Sequence, residues 1–319
     1  MYFPVFIYLL WLALKARSLT FYTLANPGIF LGGISGESKW DLLKKIDSKY
    51  LPNSIYLAKN LSHFDARDKI KNAHISFPFI VKPNQGERGK AVEKIENEEM
   101  LMAYLNSNSG EKIVQSFISF PIELGVLFYQ VPNSQEFGIT SVVMKSFLSI
   151  VGDGFKTIET LIMESERANL QRPYLLNKFK LRLTEVLTFG EVLMLEPIGN
   201  HCRGTTFMSK QELITPQLEK VFKEISKNIE GFYIGRYDLK VKSIEDLYLG
   251  KNISIMELNG IASEPAHIYD PKGSLLDAYR ALFKHVNLIY KIALENKKIG
   301  MPYISLKNFY FALKNPPII

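Results

Sequence analysis

Apolar residues dominate the opening of the chain, where no charge occurs from Met1 to Leu14 and Lys15 and Arg17 follow directly. As a helix this run would be about 21 Å long, short of the roughly 30 Å hydrocarbon core of a bilayer. A signal peptide would carry its positive charge ahead of the apolar run, not behind it. Residues 1–17 therefore read as an apolar helix with three competing placements: on a membrane surface, buried in the fold, or in a contact between two copies. Tyr2, Tyr8 and Trp11 are types favoured at lipid interfaces, and Lys15 and Arg17 suit anionic headgroups. The Gly-rich stretch ANPGIFLGGISGES follows and leads into a helix at SKWDLLKKI. It does not meet the GxxxxGK[ST] spacing of a phosphate loop, so it reads as a turn into a capped helix, with a role in lining a site as the alternative.

Further on, strand-like runs occur at SIYLA, FPFIVKP and KAVEKI, with a helix around Asn97–Asn106. EKIVQSFI and IELGVLFYQV read as two strands joined at Phe120-Pro121, and EFGITSVVMKSFLSIV as one more. Helical patterns follow at TIETLIMESERANL, PYLLNKFKLRLTEVL and PQLEKVFKEISKNI. The strands FYIGRYDLKVK and NISIMEL come next, then a long helix at LLDAYRALFKHVNLIYKIAL. Strands grouped in twos and threes predict an α+β fold with mostly antiparallel sheets. The expected organisation is an apolar helix and turn region over 1–37, a main domain over 38–294 and a tail over 295–319. Within the main domain a small lobe is expected at about 77–135 and a larger one at about 136–294.

Composition narrows the function classes. The 319 residues carry 39 Lys and Arg against 32 Asp and Glu, a net charge of +7. That mild basicity suits an anionic ligand or lipid surface, and no basic tail of the nucleic-acid-binding kind is present. The single cysteine, Cys202, excludes an internal disulfide and a multi-cysteine zinc site, and favours a reducing compartment such as the cytoplasm.

Three segments carry chemistry. Glu257 and Asn259 in IMELNG lie two apart, so an extended strand presents both on one face. If GRYDLKV pairs with it, Asp238 joins them, and Arg236 shares the face of Asp238. Two carboxylates and an amide oxygen suit a hard cation such as Mg²⁺, which keeps water and phosphate oxygens as its other ligands. Arg236 can steady a developing phosphoryl charge. In FPFIVKPNQGERGKAV a strand delivers Lys82, and the loop with Gly86 and Gly89 can turn its N–H groups toward an anion. Lys82 and Arg88 would neutralise phosphate. In EKIVQSFISFPIELG the connection between strands offers backbone groups to an adenine edge, and Glu123 can accept from ribose hydroxyls. Each segment alone has a plainer reading as a salt bridge or solvated loop.

In this order the three pieces resemble the ATP-grasp superfamily, with its strand–Lys–Gly-rich loop, its adenine hinge followed by Glu, and its closing RxD…ExN set. The chain looks most similar to the carboxylate–amine ligases that include D-alanine–D-alanine ligases and the amino-terminal ligation modules of cyanophycin synthetases. VGDGFKTIETLI is similar to a GDGxxTIxxLI stretch of the latter, and IGNHCRGTTF to an Asn-containing Gly/Thr-rich loop. The resemblance covers about Ser38 to about Asp270. It implies two α+β lobes clasping ATP, without a full amino-terminal domain ahead of them.

By resemblance, Lys82 is the nucleotide-phosphate lysine and Gly86, Glu87, Arg88 and Gly89 form the phosphate cover. Gln115, Ser116, Phe117 and Ile118 take the adenine hinge, Glu123 the ribose acid and Lys145 a further phosphate lysine. Many relatives carry Glu where Gln115 stands. An earlier ATP lysine is Lys39 or Lys44. Asp238, Glu257 and Asn259 map onto the metal ligands for Mg²⁺ or Mn²⁺, and Arg236 onto the catalytic arginine. His201, Arg203, His267 and Tyr269 are substrate candidates. The implied reaction joins a small-molecule carboxylate to an amine through an acyl phosphate, releasing ADP and phosphate, in the cytoplasm or at the inner face of its membrane. The competing readings are an ATP-grasp phosphotransferase and a nucleotide-binding pseudoenzyme.

Overall fold

The computed structural model describes residues 2–86, 91–197, 199 and 204–316. The chain opens with α1 (Phe3–Ala16), then short 3-10 turns and α2 (Lys39–Leu43). β1 (Ser54–Leu57), α3 (His63–Asn72), β2 (Phe79–Pro83), β3 (Glu93–Ile95), α4 (Glu98–Ser107) and β4 (Lys112–Ser116) follow. The next group is β5 (Ile122–Gln130), β6 (Phe137–Ser146), β7 (Leu148–Val151), α5 (Ile158–Glu164), α6 (Glu166–Asn169), α7 (Arg172–Lys178) and β8 (Val192–Glu196). The last is β9 (Thr206–Ser209), α8 (Pro216–Ser226), β10 (Ile234–Val241), α9 (Ile244–Leu249), β11 (Ile253–Asn259), α10 (Leu275–Lys298) and α11 (Leu306–Lys314).

Among the described residues the strands form a four-stranded sheet ordered β1-β4-β2-β3, a five-stranded sheet ordered β11-β10-β5-β6-β9, and the β7-β8 pair. All three are antiparallel, as the strand grouping predicts. β1 thus joins the smaller sheet ahead of residue 77, and β5 belongs to the larger one.

Helix starts follow local chemistry. Ser38, Ser62, Asn97, Thr215 and Ser274 each accept a backbone N–H from three residues on, satisfying a donor that the helix leaves free. Ser165 does the same for α6 while ending α5 in an extended conformation, which splits a pattern that the sequence presents as one helix. The expected strand over 136–151 likewise breaks at Phe147, because β6 pairs with β5 and β9 whereas β7 pairs with β8. α3, β8, β9, α9 and α11 have no counterpart in the sequence expectations.

Each layer buries its own apolar set. α3 and α4 cover the small sheet through Ile70, Leu101 and Tyr104 against Phe79, Val81 and Val114. α8 and α2 pack on one face of the large sheet, where Phe222, Phe128, Tyr237 and Leu42 meet. α10 buries Leu282, Val286, Ile289, Ile292 and Ala293 at helical spacing against α1 and residues 21–25. The opening helix is therefore partly buried: Val5, Leu12 and Ala13 face this core. No helix among the described residues is long and apolar enough to cross a membrane.

Candidate active site

Alternation on β10 sorts its side chains. Tyr237, Leu239 and Val241 enter the core beneath α8, so Arg236, Asp238 and Lys240 point to the opposite face. There Asp238 stands directly opposite Glu257 of β11, and Arg236 opposite Asn259. β5, on the other flank of β10, places Gly125 opposite Asp238. A Cβ on Gly125 would lie 3.3 Å from Arg236 Cδ and 3.4 Å from Asp238 Oδ1, so glycine leaves the two side chains their room.

A bulge in β11 makes the next contact. The register skips Met256 between the Asp238–Glu257 and Leu239–Ile255 pairs. A bulged residue is left out of the ladder, and the Met256 carbonyl accepts instead from Lys82 Nζ at 2.6 Å. Lys82, only 7% exposed, thus reaches from the small sheet to the large one. Burial pushes its ammonium down to about 8, with Lys39 adding to that shift and Glu257 opposing it.

Two further lysines neutralise the carboxylates. Lys39 Nζ lies 2.5 Å from Glu257 Oε1. Lys145 Nζ lies 3.0 Å from Glu123 Oε1 and 3.1 Å from Asp238 Oδ1. Burial works against the charge of Asp238, yet Arg236 and Lys145 outweigh it and hold the carboxyl down at about 2. For Glu257 burial is likewise outweighed, by Lys39 and then Lys82, and the carboxyl is held below its usual range. All three site acids are therefore balanced by cations, as buried charges must be.

These groups line one part of a cavity of about 970 Å³ between the two sheets. Ile80, Gln115, Ser116, Phe117 and Ile118 line another part. Lys240 joins the regions: its Nζ donates to the Ile118 carbonyl at 3.1 Å and lies 5.2 Å from the Phe117 ring centroid. Beyond the acids, Ser263, Glu264 and Tyr269 form a third stretch of wall. Tyr269 and Tyr2 both donate to the Glu264 carboxylate, and their hydroxyls lie 2.7 Å apart.

The structure thus brings together Lys82, Gly86, Gln115, Ser116, Phe117, Ile118, Glu123, Lys145, Arg236, Asp238, Glu257, Asn259 and Tyr269. Gly86 has a φ of +133°, a backbone conformation that suits glycine. Lys39 faces the cavity, whereas Lys44 lies outside and pairs with Asp41 at 2.7 Å. His267 is not among the lining residues and approaches Ser141 Oγ at 2.8 Å. Glu87, Arg88, Gly89, His201 and Arg203 lie outside the described residues.

Lys240 and Glu264 escaped the sequence reading. Lys240 was within reach of it, two residues after Asp238 on an alternating strand. Glu264 had no such signal. Among the described residues no cluster of three His, Cys, Asp or Glu forms a metal cage. The available ligand set is Asp238, Glu257 and the Asn259 amide oxygen. Asn259 Nδ2 donates to Asp238 Oδ2 at 3.0 Å, which leaves Oδ1 for a cation.

No protein-family model matches the chain, and no curated protein matches it in sequence. Among solved structures it is similar to the D-alanine–D-alanine ligase from Bacillus anthracis, at 17% identity and a TM-score of 0.48, over 84% of this chain and 70% of that one. The same enzyme complexed with ATP matches at 15% identity and 0.45, over 82% and 67%. A bifunctional glutathione synthetase from Pasteurella multocida matches at 16% and 0.40, over 81% of this chain and 36% of that one. The chain therefore spans about a third of that synthetase.

Proposed function

We propose that the chain is an ATP-grasp enzyme that uses ATP to join a small-molecule carboxylate to an amine. One observation carries the reading. Four cationic side chains, from Lys39, Lys82, Lys145 and Arg236, converge with Asp238, Glu257 and Asn259 in a cavity that continues past the Gln115–Ile118 segment. Such a site matches a nucleotide with a crowded polyphosphate, and it does so with the residues and order of the sequence resemblance.

The donor set fits Mg²⁺, and Mn²⁺ equally, because two carboxylates and one amide oxygen leave coordination positions for phosphate oxygens and water. Bound there, the ion would neutralise negative charge on the transferring phosphoryl group. The chain's own residues do the rest. The Gln115–Ile118 backbone positions the base, and Glu123 accepts from the ribose. Lys82, Lys39 and Lys145 hold phosphate oxygens.

A substrate carboxylate oxygen attacks the γ-phosphorus, the bond to the β-phosphate oxygen breaks, and ADP leaves behind an acyl phosphate. Arg236 steadies the charge that develops on the reacting oxygens. A neutral amine then attacks the acyl carbon, the bond to phosphate breaks, and the nitrogen's proton passes to the departing phosphate. Water must be kept from the acyl phosphate for the amine to capture it.

The test is ADP release with hydroxylamine in place of the amine, across a panel of carboxylates. Accumulation of a hydroxamate, with free phosphate, supports the ligase. A phosphorylated hydroxyl product without hydroxamate would make the protein a phosphotransferase. Absence of nucleotide turnover across the panel, with ATP bound, would make it a binding protein.

A further inference from the structure

Residues 15–22 touch both α10 and the segment that carries α11. Phe21 meets the Tyr290 ring edge-on with centroids 5.6 Å apart, and Lys15 Nζ lies 5.8 Å from that same ring. Tyr22, next in sequence, meets Phe309 of α11 at 6.1 Å, and Thr20 Oγ1 donates to the Ile304 carbonyl at 2.6 Å. The segment that follows α1 is thereby packed against α11 and the residues just before it.

Both helices leave an apolar face uncovered. On α1, Phe3, Phe6, Ile7, Leu10, Trp11 and Leu14 are exposed, with Phe3 and Leu14 at 74%. On α11, Leu306, Tyr310, Phe311 and Leu313 are exposed, with Phe311 at 68%. Uncovered apolar side chains in this density mark a contact surface. The charge pattern says which kind. No Asp or Glu occurs before Glu37 or after Glu295, whereas Lys15, Arg17, Lys297, Lys298, Lys307 and Lys314 do occur there. Apolar and aromatic faces on segments that carry cations and no acid complement an anionic lipid surface. A second copy seated face to face would set like charges against each other.

We propose that the protein docks on anionic bilayers through α1 and α11 together, with both helices in the plane of the interface. α1 at 14 residues is too short to span. The docked state has a consequence for the cavity. Tyr2, at the start of α1, donates to Glu264 Oε2 at 2.6 Å, and Glu264 and Tyr269 line the cavity beyond the metal-binding strand. Docking therefore brings that wall of the cavity to the lipid surface.

Co-sedimentation of the full chain with phosphatidylcholine vesicles, with and without phosphatidylglycerol, tests this without any turnover, so its outcome is separate from that of the proposed reaction. The expected result is binding to the anionic vesicles that weakens with salt, and a loss of about tenfold or more in partitioning for Leu14→Glu and for Phe311→Glu. The double variant Lys15→Gln/Arg17→Gln leaves the apolar faces intact and should lose the preference for phosphatidylglycerol. Equal binding to neutral vesicles, equal partitioning of wild type and variants, or a solution dimer that Leu14→Glu splits while vesicle binding is absent would each overturn it.

Discussion

Lys39 Nζ lies 2.5 Å from Glu257 Oε1, tying the first residue of α2 to the last strand of the larger sheet. Burial alone would lower the ammonium, but Glu257 outweighs it and the pKa is raised. Lys39 is therefore charged at neutral pH, and in the proposed reaction it shares or exchanges Glu257 for phosphate when nucleotide and metal enter. Lys39→Met should raise the KM for ATP by about tenfold or more, with a smaller effect on kcat. Lys44→Met, five residues on and turned to Asp41, should stay within about twofold of wild type. Steady-state kinetics on both variants checks the assignment, and equal behaviour of the two would remove Lys39 from the site.

Asp238 sits between Arg236 and Lys145 and opposite Glu257, so its charge serves an arginine, a lysine and the ligand set at once. Asp238→Asn keeps the shape and removes the charge. Lys145 retains Glu123 as a partner, so the fold should survive. The expected loss in kcat/KM is about a hundredfold or more, with a higher Mg²⁺ requirement. Unchanged activity with an unchanged Mg²⁺ titration would show that the ion, if used, is held elsewhere.

The turn after Asn259 is stitched to the Gly-rich segment near the amino terminus. Ile261 N donates to the Gly32 carbonyl at 3.2 Å and Ala262 N to the Gly33 carbonyl at 3.0 Å. A Cβ on Gly260 would come within 2.6 Å of both the Gly32 oxygen and Gly33 Cα, which are backbone atoms with little room to move. Gly260→Ala should therefore cost about 1–3 kcal/mol and displace the neighbouring Glu257–Asn259 strand end. Urea denaturation reads the stability. Gly110→Ala, where a Cβ would meet nothing within 4 Å, is the matched control.

How far the site could be read from sequence depended on where its parts lie. Asp238, Glu257 and Asn259 were legible because strand alternation fixes which side chains share a face, and two adjacent antiparallel strands needed only one pairing. Lys39 and Lys44 could not be told apart, since both belong to one short helical pattern and only its docking against β11 separates them. The contact between Tyr2 and Glu264 spans 262 residues and follows from the packing of α1 on α10, which no local pattern encodes. β8 stayed hidden because its exposed positions, Val192 and Met194, are apolar too, so its sequence lacks the polar–apolar alternation that marks a strand. The missed split at Phe147 has a related cause: β6 and β7 continue one apolar run but serve different sheets.

His285 supplies a pH dependence that is independent of catalysis. It is buried on α10, its Nδ1 has no hydrogen-bond partner among the described residues, and a hydrogen bond to the Ile261 backbone offsets only part of the desolvation. Burial pushes its pKa down to about 4 from an ordinary value near 6.5. The folded state therefore holds the ring neutral, while the unfolded chain takes up a proton below about pH 6.5. Its contribution is fully present above pH 6.5, declines as the pH falls, and is lost by about pH 4. At 1.36 kcal/mol per pH unit, the loss across that window is about 3 kcal/mol. Urea midpoints at pH 7.5 and 5, compared for wild type and His285→Gln, check this. The glutamine variant should be less stable at neutral pH but should lose less between the two values. Parallel losses in the two proteins would show that other groups carry the acid sensitivity.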